Sequence, residues 1–142
     1  MPYNLDRFLK AQNQVYLNAY EEIKQGRKQS HWMWYVFPQI AGLGSSEAAN
    51  YYGISSKEEA TAYLNHPVLG ANLRTLSQLL LELPNTSAEN IFGSIDALKL
   101  RSSMTLFSEV SNQDDIFQNV IEKYFDGQHD HKTFMILKAL DN

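Results

Sequence analysis

Apolar positions along this chain recur at helical spacing, and almost nowhere do they alternate as a strand requires. From Leu5 to Gln25, projection at ~100° per residue gathers Leu5, Phe8, Leu9, Val15, Tyr16, Ala19, Tyr20 and Ile23 on one arc, with Asn4 as N-cap and Gly26 as stop. A short helix is predicted from Ser46 to Tyr52, closed by Gly53. Ser56 and Glu59 form a capping-box pattern that opens another helix, ending near Asn65. Pro67 starts the next, in which Leu69, Leu73, Leu76, Leu80 and Leu83 form a stripe that belongs against the core. His66 reads as a hydrogen-bonding helix-entry residue, and Gly70 inside the helix as a point of close backbone approach.

Pro84-Asn85-Thr86 breaks the chain, Ser87 caps a short turn ending at Gly93, and Ser94 caps a helix through Val110. Two further helices are expected, Asp114 to Phe125 and Asp130 to Leu140. The stretch His31 to Phe37 is apolar on every side, so it runs through the core. Pro38 ends it, and a short helix capped by Ser30 is favoured over a buried extended segment. The expected fold is therefore all-α, a single-domain multihelical bundle of about seven to nine helices spanning residues 1–142.

With 142 residues and 44% apolar content, one core accounts for the whole chain. No cysteine is present, which removes disulfides, thiolate catalysis and cysteine-ligated zinc. The segment Met1 to Arg7 has no leader pattern and no apolar run approaches a membrane span, so a cytoplasmic protein is expected. A net charge of −4 disfavours nucleic-acid binding. Lys24, Arg27 and Lys28 nevertheless concentrate positive charge beside both tryptophans, either as a solvated helix end or as a cradle for one small anion.

Candidate chemistry clusters near those residues. A helix start at Ser30 would offer free N–H groups to an anion, with Arg27 and Lys28 adding charge and Trp32 or Trp34 stacking on a flat ligand. Asp96, Lys99 and Ser103 share one helix face. They either fray outward and back-bond, or Lys99 contacts an anion or activates the Ser103 hydroxyl. Gln12 interrupts the apolar arc of the first helix, either tying helices together or reading a ligand. His31 is an acid–base candidate or a satisfied core residue. His129 and His131, flanking Asp130, read as an exposed polar loop rather than a metal site, and no cofactor is expected. Gly42-Leu43-Gly44 precedes a helix, but Glu47 stands where a dinucleotide fingerprint needs glycine. Walker, zincin and serine-elbow motifs are absent.

Gly26 to Trp34, Phe37-Pro38-Gln39, Gly42-Leu43-Gly44, Tyr63 to Gly70 and Lys99 to Phe107, in that order, resemble the family catalogued as domain of unknown function 1810. The resemblance runs from about Leu5 to Leu140 and implies an all-helical, mostly bacterial, cytosolic domain with no assigned catalytic residues. Members sometimes carry the label calpastatin, the name of a disordered inhibitor, whereas this chain is patterned for a packed core. His31, Lys99 and Ser103, candidates by their position in the chain, also lie within the motifs that carry the resemblance. The leading expectation is a pocket lined by Gln12, His31, Trp34, Tyr35, Lys99 and Ser103 that binds a small anionic nucleotide-like metabolite, with His31 or Ser103 as the candidates for hydrolysing it. The alternative is a non-enzymatic protein-interaction module.

Overall fold

The computed structural model describes residues 3–112 and 114–141. Met1 and Pro2 of the N-terminal segment, with Gln113 and Asn142, lie outside the described residues. Among the described residues eight helical elements follow one another: α1 (Asp6–Lys24), α2 (Met33–Val36), α3 (Glu47–Tyr52), α4 (Lys57–Asn65), α5 (Leu69–Glu82), α6 (Ala88–Val110), α7 (Ile116–Phe125) and α8 (His131–Leu140). Among the described residues the only β pairing is an isolated parallel bridge between Ile40 and Ile54. It is made by Ala41 N–H to Ile54 O and Ile54 N–H to Gln39 O, both at 2.8 Å.

Local chemistry sets most boundaries. Ser46, Ser56, Ser87 and Asp130 each accept a hydrogen bond from the backbone N–H three residues on. At the start of α5, His66 Nδ1 accepts from the Val68 and Leu69 N–H groups at 3.1 and 3.3 Å, the expected entry role. Gly93 breaks α6 with φ 81° and ψ 163°, so Ala88–Val110 is two helical pieces meeting at a kink. Asn4 is not the cap of α1; Leu5 holds that position without a side-chain bond. The Asn4 carbonyl instead accepts from Arg7.

Helix α5 lies at the centre, with α1, α4 and α7 packed on it, while α6 packs on α4, α7 and α8. Of the leucine stripe, Leu69, Leu73, Leu76 and Leu80 are buried, while Leu83, at the C-cap of α5, is only half-buried against the core. Gly70 lets α5 cross the end of α4 so closely that a Cβ would lie 2.0 Å from Leu64 O. Arg7 ties α1 to the chain around α3. It donates to Tyr51 O and Gly53 O and pairs with buried Glu59 at 3.0 Å, and Glu59 also receives the Ser55 N–H and hydroxyl. No helix among the described residues is long and apolar enough to cross a membrane.

Candidate functional site

The segment between α1 and α2 differs most from expectation. Helix α2 has only four residues; Trp32 occupies its N-cap position and Ser30 does not cap it. The Ser30 hydroxyl donates to Glu22 Oε2 at 2.5 Å. Glu22 Oε1 accepts the Gln29 N–H at 2.7 Å, the Ser30 N–H at 3.0 Å and the Trp32 indole N–H at 2.9 Å. The anion cradle expected around Ser30 is thus filled by the chain's own carboxylate, from the last turn of α1. Burial pushes the Glu22 carboxyl up, but the four hydrogen bonds outweigh it and lower it from 4.5 to about 2.

The same loop is anchored to α6. Lys28 N–H donates to Ile91 O at 2.7 Å, and Lys28 Nζ reaches Ser30 O at 2.6 Å and Asp96 Oδ2 at 2.9 Å. Asp96 Oδ1 takes Lys99 Nζ at 3.2 Å, and that ammonium sits 4.1 Å above the Trp34 ring. Burial raises the Asp96 carboxyl, but Lys28 and Lys99 more than compensate and hold it below its usual range. Lys28, Ser30, Trp32, Trp34 and Lys99 therefore belong to one connected polar network, with Glu22 and Asp96 as its anions. On the Gly44 and Tyr52 side of Trp34 the free space is about 10 Å³, about one water probe.

The other candidates lie apart. His31 is exposed instead of running through the core, and its carbonyl accepts the Tyr35 hydroxyl at 3.1 Å. Arg27 is exposed. Ser103 is fully buried, and its Oγ has no hydrogen-bond partner among the described residues; Lys99 Nζ is committed to Asp96, so no Lys99–Ser103 hydrogen bond forms. Of the six residues expected to share a pocket, only Trp34 lines the space beside Gly44 and Tyr52; Gln12, His31, Tyr35, Lys99 and Ser103 do not.

Gln12 leads to a different place. Its Nε2 donates to Tyr35 O at 2.7 Å and Tyr63 Oη at 2.8 Å, and its Oε1 accepts from Asn72 Nδ2 at 3.0 Å. One buried amide thus joins α1, α2, α4 and α5, the tie between helices that an amide in an apolar arc suggested. Gln12 and Asn72 also form the floor of a cleft of about 690 Å³ between α1 and the start of α5. Leu9, Tyr16, Leu17 and Val68 supply its apolar walls, and Asn13, Gln14 and Lys10 its polar rim. Leu17 is 76% and Val68 47% exposed at the lips.

Sequence reasoning missed Glu22 and Leu17, placed Leu9 and Tyr16 on the core-facing arc of α1, and gave no role to Asn72 and Val68. A signal existed for the last two: Val68, Asn72, Thr75 and Leu79 follow the core stripe one residue behind, so they form the ridge beside it. Among the described residues no group of three His, Asp or Glu side chains is arranged to hold a metal ion.

The family model described as "Protein of unknown function (DUF1810)" matches residues 2–137. The chain belongs to the DUF1810 family. Another chain similar to it is the conserved hypothetical protein Rv1873 from Mycobacterium tuberculosis, whose crystal structure at 1.38 Å superposes with a TM-score of 0.95. The two are 47% identical, over 97% of this chain and 99% of that one. No curated protein matches. The DUF1810 fold is thus shared across nearly the full length, and neither description attaches an activity to it.

Proposed function

We propose that this domain is a cytoplasmic, bacterial small-molecule-binding protein and that its ligand occupies the α1–α5 cleft. The observation that carries the reading is the floor of that cleft: a buried Gln12 held by three hydrogen bonds, fixing Asn72 beneath about 690 Å³ of largely apolar space. Ligand sites typically combine roughly 300–1,000 Å³ of apolar wall with a few oriented polar groups, and this cleft has that composition. The site differs from the tryptophan-centred pocket expected from sequence, because Lys28 and Lys99 already have Asp96 as partner and Trp34 is covered by Lys99. The reading is one of binding without hydrolysis: His31 is at the surface and Ser103 is sealed in the core.

A thermal-shift screen of a fragment library against wild type, Leu17→Glu and Lys99→Met tests it. Leu17 is a surface position, so its substitution leaves the fold intact. Fragments that raise the wild-type Tm are expected to lose their effect in Leu17→Glu and keep it in Lys99→Met. Loss in Lys99→Met alone would return the site to the Trp34 network.

A second reading, a protein-interaction module, draws on the exposed lips of the cleft and on Ile95 and Leu98, exposed on α6 at 71% and 63%. Under it, fragments bind nowhere and Leu17→Glu acts only on association with a protein partner.

A further inference from the structure

Resting on the cleft reading, we propose that the ligand is recognised through a planar group bearing a hydrogen-bond donor beside an acceptor, as the edge of a nucleobase does, with an anionic tail toward Lys10. The argument starts from a carbonyl. Tyr35 O can only accept, so the Gln12 atom 2.7 Å away must be Nε2, and this fixes which way the amide faces. Gln12 Oε1 then faces Asn72 and requires a donor there, so Asn72 must turn Nδ2 toward it at 3.0 Å. Two amides that could each be flipped are locked in series by one backbone acceptor.

Asn72 is left with its carbonyl oxygen and its second N–H, and it lines the cleft half-buried. A fixed carboxamide presenting both roles matches partners that present both in return. Asparagine pairs in this way with the N6 and N7 edge of adenine. The walls agree with a flat guest, being the Tyr16 ring and the aliphatic Leu9, Leu17 and Val68 side chains. The electrostatics are one-sided, since the described lining includes Lys10 and no carboxylate. A ligand with a neutral polar edge and an anionic end satisfies each of these features, and a nucleoside monophosphate is the simplest molecule that does.

The test is a titration of ¹⁵N-labelled protein with AMP, with UMP, with purine riboside 5′-monophosphate, which keeps the ring but lacks the exocyclic amine, and with ribose 5-phosphate. AMP and UMP are expected to shift the Asn72 side-chain amide and the Asn13 and Leu17 backbone signals, binding at least tenfold more tightly than the other two. Asn72→Ala should remove that tenfold difference. Lys10→Glu should weaken AMP while leaving adenosine unchanged. Equal binding of ribose 5-phosphate, or AMP binding indifferent to Asn72→Ala, would overturn the edge recognition while leaving the cleft as the site. If no nucleotide perturbs the cleft but fragments of other chemistry do, the ligand class is wrong and the cleft reading survives. A cleft silent to both would overturn the two together.

Discussion

Glu22 decides how the loop after α1 is held, because its two oxygens take four donors that would otherwise face one another unpaired. Removing the carboxyl and keeping its shape therefore have different consequences. Glu22→Ala leaves the Gln29 and Ser30 N–H groups and the indole N–H without an acceptor and is expected to cost about 2 kcal/mol or more in denaturant unfolding. Glu22→Gln keeps an oxygen for the three N–H donors, and its new NH₂ can donate to the Ser30 hydroxyl, so it should be far milder. The acid response follows from the depressed carboxyl. A group whose folded value lies below its unfolded one contributes stability that is complete above pH 4.5 and is lost as the pH falls through about 2. Wild type should lose stability across that window more steeply than Glu22→Gln, read by urea melts at successive pH values. At the other amide, Gln12→Ala strands Tyr35 O, Tyr63 Oη and Asn72, and a loss of about 2–3 kcal/mol is expected by the same measurement. Gln12 could be picked out in advance because an amide inside an apolar arc needs partners. Glu22 could not: it lies off the arc, and its partners 7 to 10 residues later meet it only once the loop has turned back.

Where an element's ends are set by residues a few positions apart, the sequence is a good guide. The helix starts at Ser46 and Asp130, the serine caps at Ser56 and Ser87, the His66 entry and the break at Gly93 all depend on contacts within about three residues or on one backbone conformation, and Asn4, read as the cap of α1, is the exception. The same locality explains the failure at α2. Ser30 looks like a cap when only its successors are considered, but Glu22 competes for its hydroxyl and N–H, and helix starts two residues further on. Gly70 was legible as a close approach, and its cost is now definite. Gly70→Ala would drive a methyl into Leu64 O, 2.0 Å away on backbone that cannot swing aside, and should destabilise the protein by about 3 kcal/mol. Lys99→Met, by contrast, removes a partly exposed cation over Trp34 and should cost about 1 kcal/mol or less, while altering the emission of Trp34.

At the scale of the whole molecule, the all-α class was legible because helical periodicity recurs in nearly every segment, and the core followed from the leucine stripe of α5. The location of the cleft was not, because it depends on how α1 lies across α5, which brings together residues 60 positions apart such as Gln12 and Asn72. Helix projections assign faces; they do not say which faces meet. The tryptophan-rich stretch attracted attention for its chemistry, yet its cations are matched by Asp96 and its donors by Glu22, so its polar groups are largely satisfied from within. The α1–α5 cleft retains both open volume and an oriented amide. The most direct test is a crystallographic soak of the wild-type protein with a library of small polar fragments. Bound fragments are predicted to gather between α1 and α5, with a donor–acceptor edge on Asn72. Fragments gathered at Trp34 and Lys99, with the cleft left empty, would contradict the account.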